Sequence, residues 1–166
     1  MPRGRGERKT IRLIRFYSLA LILVVLDQFS KWYAMSRLLE GESIAVIPDV
    51  FHFTLVYNTG IAFGFFSHHE NILMLLITLS VLVLFFLSSV LAGNRLPARI
   101  GFAMILGGAI GNWIDRLRYH AVIDFLDFRI WPVFNFADSV ITIGVTIYLG
   151  MVICDSFHAN KRTSVT

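Results

Sequence analysis

The sequence predicts a mainly α-helical integral membrane protein, with four transmembrane helices, a small extracytoplasmic β-cradle and a surface lid helix or loop. Three observations carry that expectation. The 166 residues have a mean hydropathy of +0.69, with 56% apolar against 16% charged residues, far more apolar than a soluble domain of this length. Four apolar runs follow one another, each close to the roughly 20 residues that cross about 30 Å of hydrocarbon. Basic residues collect at alternate boundaries of those runs.

A single domain, 1–166, accounts for the whole length. A basic arm, 1–13, precedes the first span at 14–33. It resembles the start of a secretory signal peptide, but no small-residue cleavage pattern follows, and the run continues into Asp27-Gln28-Phe29-Ser30-Lys31. Ile72 to Ala92 forms a second span without a charge. The turn Gly93 to Pro97 leads into a third, Ala98 to Ile114, and Ser139 to Phe157 makes the fourth. Outer loops cover 34–71 and 115–138.

The N-terminal basic residues, the Arg95 and Arg99 turn and the Lys161 and Arg162 tail hold ten of the fifteen lysines and arginines. Four spans bring these three regions to one side, so the positive-inside rule makes both termini cytoplasmic. Arg3, Arg5, Arg8, Lys9, Arg12 and Arg15 then orient a helix, and the net charge of +4 does not signal nucleic acid. Nine of the eleven acidic residues lie on the opposite face, where the chemistry is expected. The single cysteine, Cys154, lies inside the last apolar run and reads as packing.

In the first outer loop Phe51, Phe53, Leu55 and Tyr57 alternate with His52, Thr54 and Val56, a strand pattern closed by the turn residues Asn58-Thr59-Gly60. The aromatic stretch Ile61 to Phe66 suits a lid or platform at headgroup level. Val122 to Phe134 is also strand-like, with Pro132 restricting it to a sheet edge.

Asp115, Asp124, Asp127 and Asp138 crowd between two apolar runs, where charge is costly unless it is used. Gly108, Asn112, Asp115 and Arg116 share a stripe of the third helix, and Gly107 with Gly111 gives a small-xxx-small contact. Asp115 and Arg116 fit either a supporting role or an ion pair that anchors the helix end. Asp124 and Asp127, three apart on an extended segment, point to opposite faces. Asp138, just before the fourth helix, fits either a helix cap or a functional carboxylate favoured by the helix dipole.

Two carboxylates in a poorly hydrated site share a proton, which suits aspartic-protease chemistry or a proton relay. Asp27 and Lys31, four apart, can pair at the membrane edge with Lys31 snorkelling outward. A Ser30-Lys31 dyad is disfavoured because neighbouring helix positions point apart. His68, His69 and Glu70 lack metal-site spacing and read as a solvated loop tip.

The chain resembles lipoprotein signal peptidase, or signal peptidase II, through five motifs in order: Asp27 to Lys31, Tyr57 to Phe63, Gly107 to Arg116, Val122 to Phe125 and Phe134 to Asp138. The resemblance implies a membrane aspartic endopeptidase that cuts prolipoproteins before the diacylglyceryl-modified cysteine, with Asp124 and Asp138 as the catalytic pair. It implies supporting or substrate-binding places for Asp27, Lys31, Asn58, Gly60, Ala62, Gly108, Asn112, Asp115, Arg116, Val122, Asn135 and Ala137. It also implies a lipid bilayer as host, inhibition by globomycin-type peptides, no metal or other cofactor, no nucleic acid and a monomer. A small transporter or ion relay on the same carboxylates, and a structural membrane scaffold, are the competing readings.

Overall fold

The elements run α1 (Arg5–Arg37), β1 (Ser43–Ile47), β2 (Phe51–Asn58), α2 (Glu70–Leu91), α3 (Leu96–Tyr119), β3 (Val122–Asp127) and α4 (Phe136–Thr163) in a computed structural model that describes residues 5–60, 70–91 and 95–163. Each expected apolar run falls on a helix, and α1, α3 and α4 extend past theirs at both ends because backbone hydrogen bonding continues for as long as local residues favour it; Ala92, the last residue of the second run, lies outside the described residues. In α1 the helix starts within the basic arm, where Arg12 Nε donates to the Arg8 carbonyl at 3.1 Å. Pro97 lies in the first turn of α3, and His120, at φ 55°, ends that helix by donating its N–H to the Arg116 carbonyl. α4 begins at Phe136 rather than Ser139, so Asp138 lies inside its first turn and not before it.

Among the described residues, Phe136–Phe157 is long and apolar enough to cross a membrane by length and composition, and Met74–Leu87 is a shorter apolar stretch.

α3 packs against α1 on one side and α4 on the other, and its glycines make both approaches close. A Cβ on Gly107 would come within 2.8 Å of the Ala20 carbonyl oxygen, while Gly111 faces Asp27, so this small-xxx-small pair does pack against α1. A Cβ on Gly108 would lie 2.6 Å from the Ala137 carbonyl oxygen, at the start of α4. Phe16, Ala20, Phe102, Ala103 and Leu106 fill the core between α1 and α3. Cys154, expected in packing, is exposed, because α4 turns much of its apolar surface outward.

The three strands form an antiparallel sheet in the order β1-β2-β3. The alternation foreseen in the first outer loop is β2. Asn58 Oδ1 accepts the Gly60 N–H at 2.9 Å, and Gly60 takes the turn at φ 72°. β1 was not foreseen. The second strand-like stretch is shorter than expected: β3 ends at Asp127, Arg129 turns at φ 63°, and Phe134 returns to bridge Leu126. Ala34, Leu38, Leu55, Ile123 and Phe125 join the sheet to the end of α1. The Ile61 to Phe66 lid, with Ala62, and His68 and His69 lie outside the described residues.

Candidate active site

One turn of α1 places Asp27 and Lys31 on the face that meets α3 and α4. They pair at 2.8 Å, as their spacing predicts, but both are completely buried, so Lys31 does not snorkel outward. A second carboxylate explains why: Asp115 Oδ2 lies 2.6 Å from Lys31 Nζ. Asp115 thus takes its ion pair from Lys31 rather than from Arg116, since adjacent helix positions diverge by about 100°. Gln28 completes the cluster, donating from Nε2 to Asp115 Oδ1 at 2.8 Å and to the Gly111 carbonyl at 3.2 Å. Sequence reasoning gave Gln28 no role, although it lies inside the Asp27 to Lys31 motif. The Ile123 N–H also donates to Asp115, which ties β3 to α3.

Asp124 and Asp138 meet beside this cluster, held by amides. Asn58 Nδ2 donates to Asp124 Oδ2 at 2.9 Å, and Asn135 Nδ2 donates to Asp124 Oδ1 at 2.7 Å. Asn112 Nδ2 donates to Asp138 Oδ1 at 2.8 Å, and the Asn135 N–H donates to Asp138 Oδ2 at 3.3 Å. The Asp138 N–H donates in return to Asn135 Oδ1 at 2.9 Å. Asn135 and Asp138 therefore form a reciprocal capping box in which Asn and Asp replace the usual Ser or Thr and Glu. Asp138 is a cap and a site carboxylate at once.

Asn112 and Asn135 join the two carboxylates. Asn135 Nδ2 also reaches Asn112 Oδ1 at 3.1 Å, and Lys31 Nζ donates to the same oxygen at 2.9 Å. Among the described residues, neither Asp124 nor Asp138 forms an ion pair with a lysine or arginine. Arg116 donates to the Asn112 carbonyl at 3.2 Å and lies in the field of Asp138, then of Asp115 and Asp124. Burial, the chief cause, pushes the Asp124 carboxyl up to about 6 from 3.8, against the Asn58 and Asn135 hydrogen bonds. The negative charge of Asp138 adds to the rise, and Lys31 opposes it.

Several other expected residues make contacts that hold the elements around the pair in place. Val122 pairs with Asn58 across the sheet, and Gly60 closes the turn that aims Asn58. The Ala137 N–H donates to Asp27 Oδ1 at 3.0 Å, so the start of α4 is fixed to α1. Gly108 gives Ala137 room to approach. Asp127 turns away from the pair, accepting from Thr54 at 2.8 Å and from Arg129 at 3.0 Å. The Ser30 hydroxyl donates to the Asp27 carbonyl at 2.7 Å, so it is not paired with Lys31. No cluster of three or more His, Cys, Asp or Glu among the described residues could hold a metal ion.

A buried and a half-buried carboxylate held by amide donors, with no ion pair to lysine or arginine among the described residues, suit proton transfer. Residues 19–154 match the sequence profile of Signal peptidase (SPase) II. The lipoprotein signal peptidase of Moorella thermoacetica is 42% identical over 132 residues, covering 80% of this chain and 88% of that protein. That of Pelotomaculum thermopropionicum is 40% identical over 153 residues, covering 89% and 96%. A solved bacterial membrane enzyme, determined by the in meso method at 2.3 Å resolution, superposes with a TM-score of 0.76 at 29% identity, over 86% of this chain and 89% of that one. With its profile match spanning residues 19–154 and its relatives matching 80–89% of its length, the chain belongs to the signal peptidase II family.

Proposed function

We propose that this chain is a membrane aspartic endopeptidase that removes signal peptides from prolipoproteins, cutting on the N-terminal side of the diacylglyceryl-modified cysteine. The observation that carries the reading is the pairing of Asp124 with Asp138 through Asn112 and Asn135. Amides fix both carboxylates while leaving each with lone pairs for water and a shared proton.

In the proposed cycle Asp138 starts ionised at the helix N-terminus, and Asp124 starts protonated. Asp138 takes a proton from water as the water oxygen bonds to the scissile carbonyl carbon, while Asp124 gives its proton to the carbonyl oxygen. Collapse of the tetrahedral intermediate breaks the C–N bond as Asp138 gives its proton to the cysteine nitrogen and Asp124 takes a hydroxyl proton from the intermediate, re-forming the carbonyl. The peptide then leaves with a new carboxylate, and the aspartates regain their starting states. Asn58, Asn112 and Asn135 hold the pair, Arg116 adds a positive field, and Asp27, Lys31 and Asp115 brace them. Ala62 belongs to the motif that would meet substrate.

The same reading includes four membrane spans, cytoplasmic termini and a site at the extracytoplasmic face of the bacterial cytoplasmic membrane. Large apolar residues exposed on three helices support it, among them Leu21 and Val25 on α1, Leu75 and Phe86 on α2, and Leu149 and Ile153 on α4. A lipid-anchored substrate would reach the site laterally through the bilayer. A monomer that needs no cofactor and binds globomycin-type peptides completes the proposal.

Purified protein should cleave a lipid-modified prolipoprotein peptide. Asp124→Asn and Asp138→Asn should each lower the rate by at least about 1,000-fold while the protein stays folded, in line with the size of general acid–base effects. Normal cleavage by both variants would leave the carboxylates to an ion relay instead.

A further inference from the structure

We infer that Lys31 is a positioning residue of the reaction, which holds Asn112 Oδ1 so that Asn112 Nδ2 faces Asp138 and so reinforces the helix N-terminus in setting which aspartate of the pair begins the cycle ionised. This rests on the aspartic reading above. It adds a device that a bare pair of carboxylates lacks.

Two nearly equivalent carboxylates would give either one the proton, and a cycle that needs one base and one acid would start wrongly half of the time. Here the surroundings of the two are unequal. Asp124 Oδ1 and Oδ2 receive only the neutral amides of Asn135 and Asn58. Asp138 Oδ1 receives an amide whose own oxygen is held by an ammonium, in the chain Lys31 Nζ to Asn112 Oδ1 at 2.9 Å and Asn112 Nδ2 to Asp138 Oδ1 at 2.8 Å. A cation on the amide oxygen prevents the amide from flipping and polarises its N–H toward the acceptor, strengthening that bond. Asn135 Nδ2, bonded to the same oxygen, adds to the orientation.

The charges that face this chain come from every element packed around it: Asp27 and Lys31 on α1, Asp115 and Arg116 on α3, Asp124 on β3 and Asp138 on α4. Asp27 and Asp115 hold Lys31 in place at 2.8 and 2.6 Å. Their negative charges offset part of the direct field of Lys31, which also reaches Asp124 and so does not single out Asp138. The directed hydrogen bond through Asn112 is therefore the route by which Lys31 distinguishes the two aspartates.

Two variants separate this role from mere support. Asn112→Ala cuts the chain while leaving the Lys31 ion pairs intact. Asp27→Asn with Lys31→Met removes the ammonium without leaving two unpaired buried carboxylates. In both, the acid limb of the kcat/KM profile should move to higher pH by about one unit, the scale of a lost close charge or hydrogen bond. Infrared difference spectra of aspartate-labelled protein should then show the ionised carboxylate shared between the two positions. Lys31→Arg should keep the limb near its original place, and Asp27→Asn alone should not move it upward.

A purely structural Lys31 would lower the folded fraction or kcat and leave the limb where it is. An unmoved limb in folded Asn112→Ala protein would overturn the inference, even if the double variant failed to fold. Because Asp124→Asn and Asp138→Asn test the aspartic reading separately, the two ideas fail under different results.

Discussion

Two carboxylate groups lie side by side at one end of the helices and are treated in opposite ways. Asp27 and Asp115 clasp Lys31 at 2.8 and 2.6 Å in a completely buried ion-pair cluster. Asp124 and Asp138 are held by amide hydrogens. An ion pair at such distances freezes the charge state of its members, because protonating a carboxylate would strand the ammonium in a dry interior. Amide donors fix position yet tolerate either protonation state. One cluster is built to stay as it is, and its neighbour is free to change its protonation, as the proposed cycle requires.

The comparison breaks most visibly if the static cluster is opened. Lys31→Met should cost about 3–5 kcal/mol of stability, the usual penalty for breaking a buried pair, read as a lowered melting temperature in detergent. Adding Asp27→Asn should recover part of that loss. Recovery would show that the cost was an uncompensated charge rather than lost packing. Next in size, Gly108→Ala should cost about 1–3 kcal/mol and reduce cleavage, because the new Cβ must displace the Ala137 carbonyl 2.6 Å away and with it the first turn of α4. A variant as stable and active as the parent would mean that α4 can shift freely, and that the Asp138 position is less constrained than its hydrogen bonds imply.

The smallest effect is a pH dependence confined to the exchanging pair. Asp124 is raised from 3.8 to about 6, so between those values the folded chain binds more protons than the unfolded one. Stability should therefore fall as pH rises through that window and level off above it. In the proposed cycle Asp124 must start protonated, so kcat/KM for the free enzyme should decline as pH rises through about 6. Asp124→Asn should remove the stability slope, which thermal melts from pH 4 to 7 would check.

Much of this was legible before the structure, and the rest was hidden for physical reasons. The four apolar runs locate the helices, and strict alternation from Phe51 to Tyr57 locates β2. The three-residue spacing of Asp124 and Asp127 foretold that they would part. β1, Ser43–Ile47, is an exposed edge strand without an apolar-polar alternation, so its pairing with β2 decides its conformation more than its own pattern does. Both ends of α1 and α4 and the end of α3 lie three or more residues beyond the apolar runs, because hydropathy marks where apolar side chains stop and says nothing of capping. The start of α4 shows this, where Asn135 and Asp138 form an unusual capping box. The burial of Lys31 depends on Asp115, 84 positions further on, and no local spacing reveals such a partner.

The hydrogen bond from the Ala137 N–H to Asp27 Oδ1 joins residues 110 positions apart. Asp27 is made well before the atoms that complete its surroundings. Local helix formation cannot build such a site, which waits for a closure of high contact order. A ribosome-bound chain that lacks α4 would have Asp124 without its partner. Such a chain would be an inert precursor, and the peptidase would acquire its activity only when α4 docks.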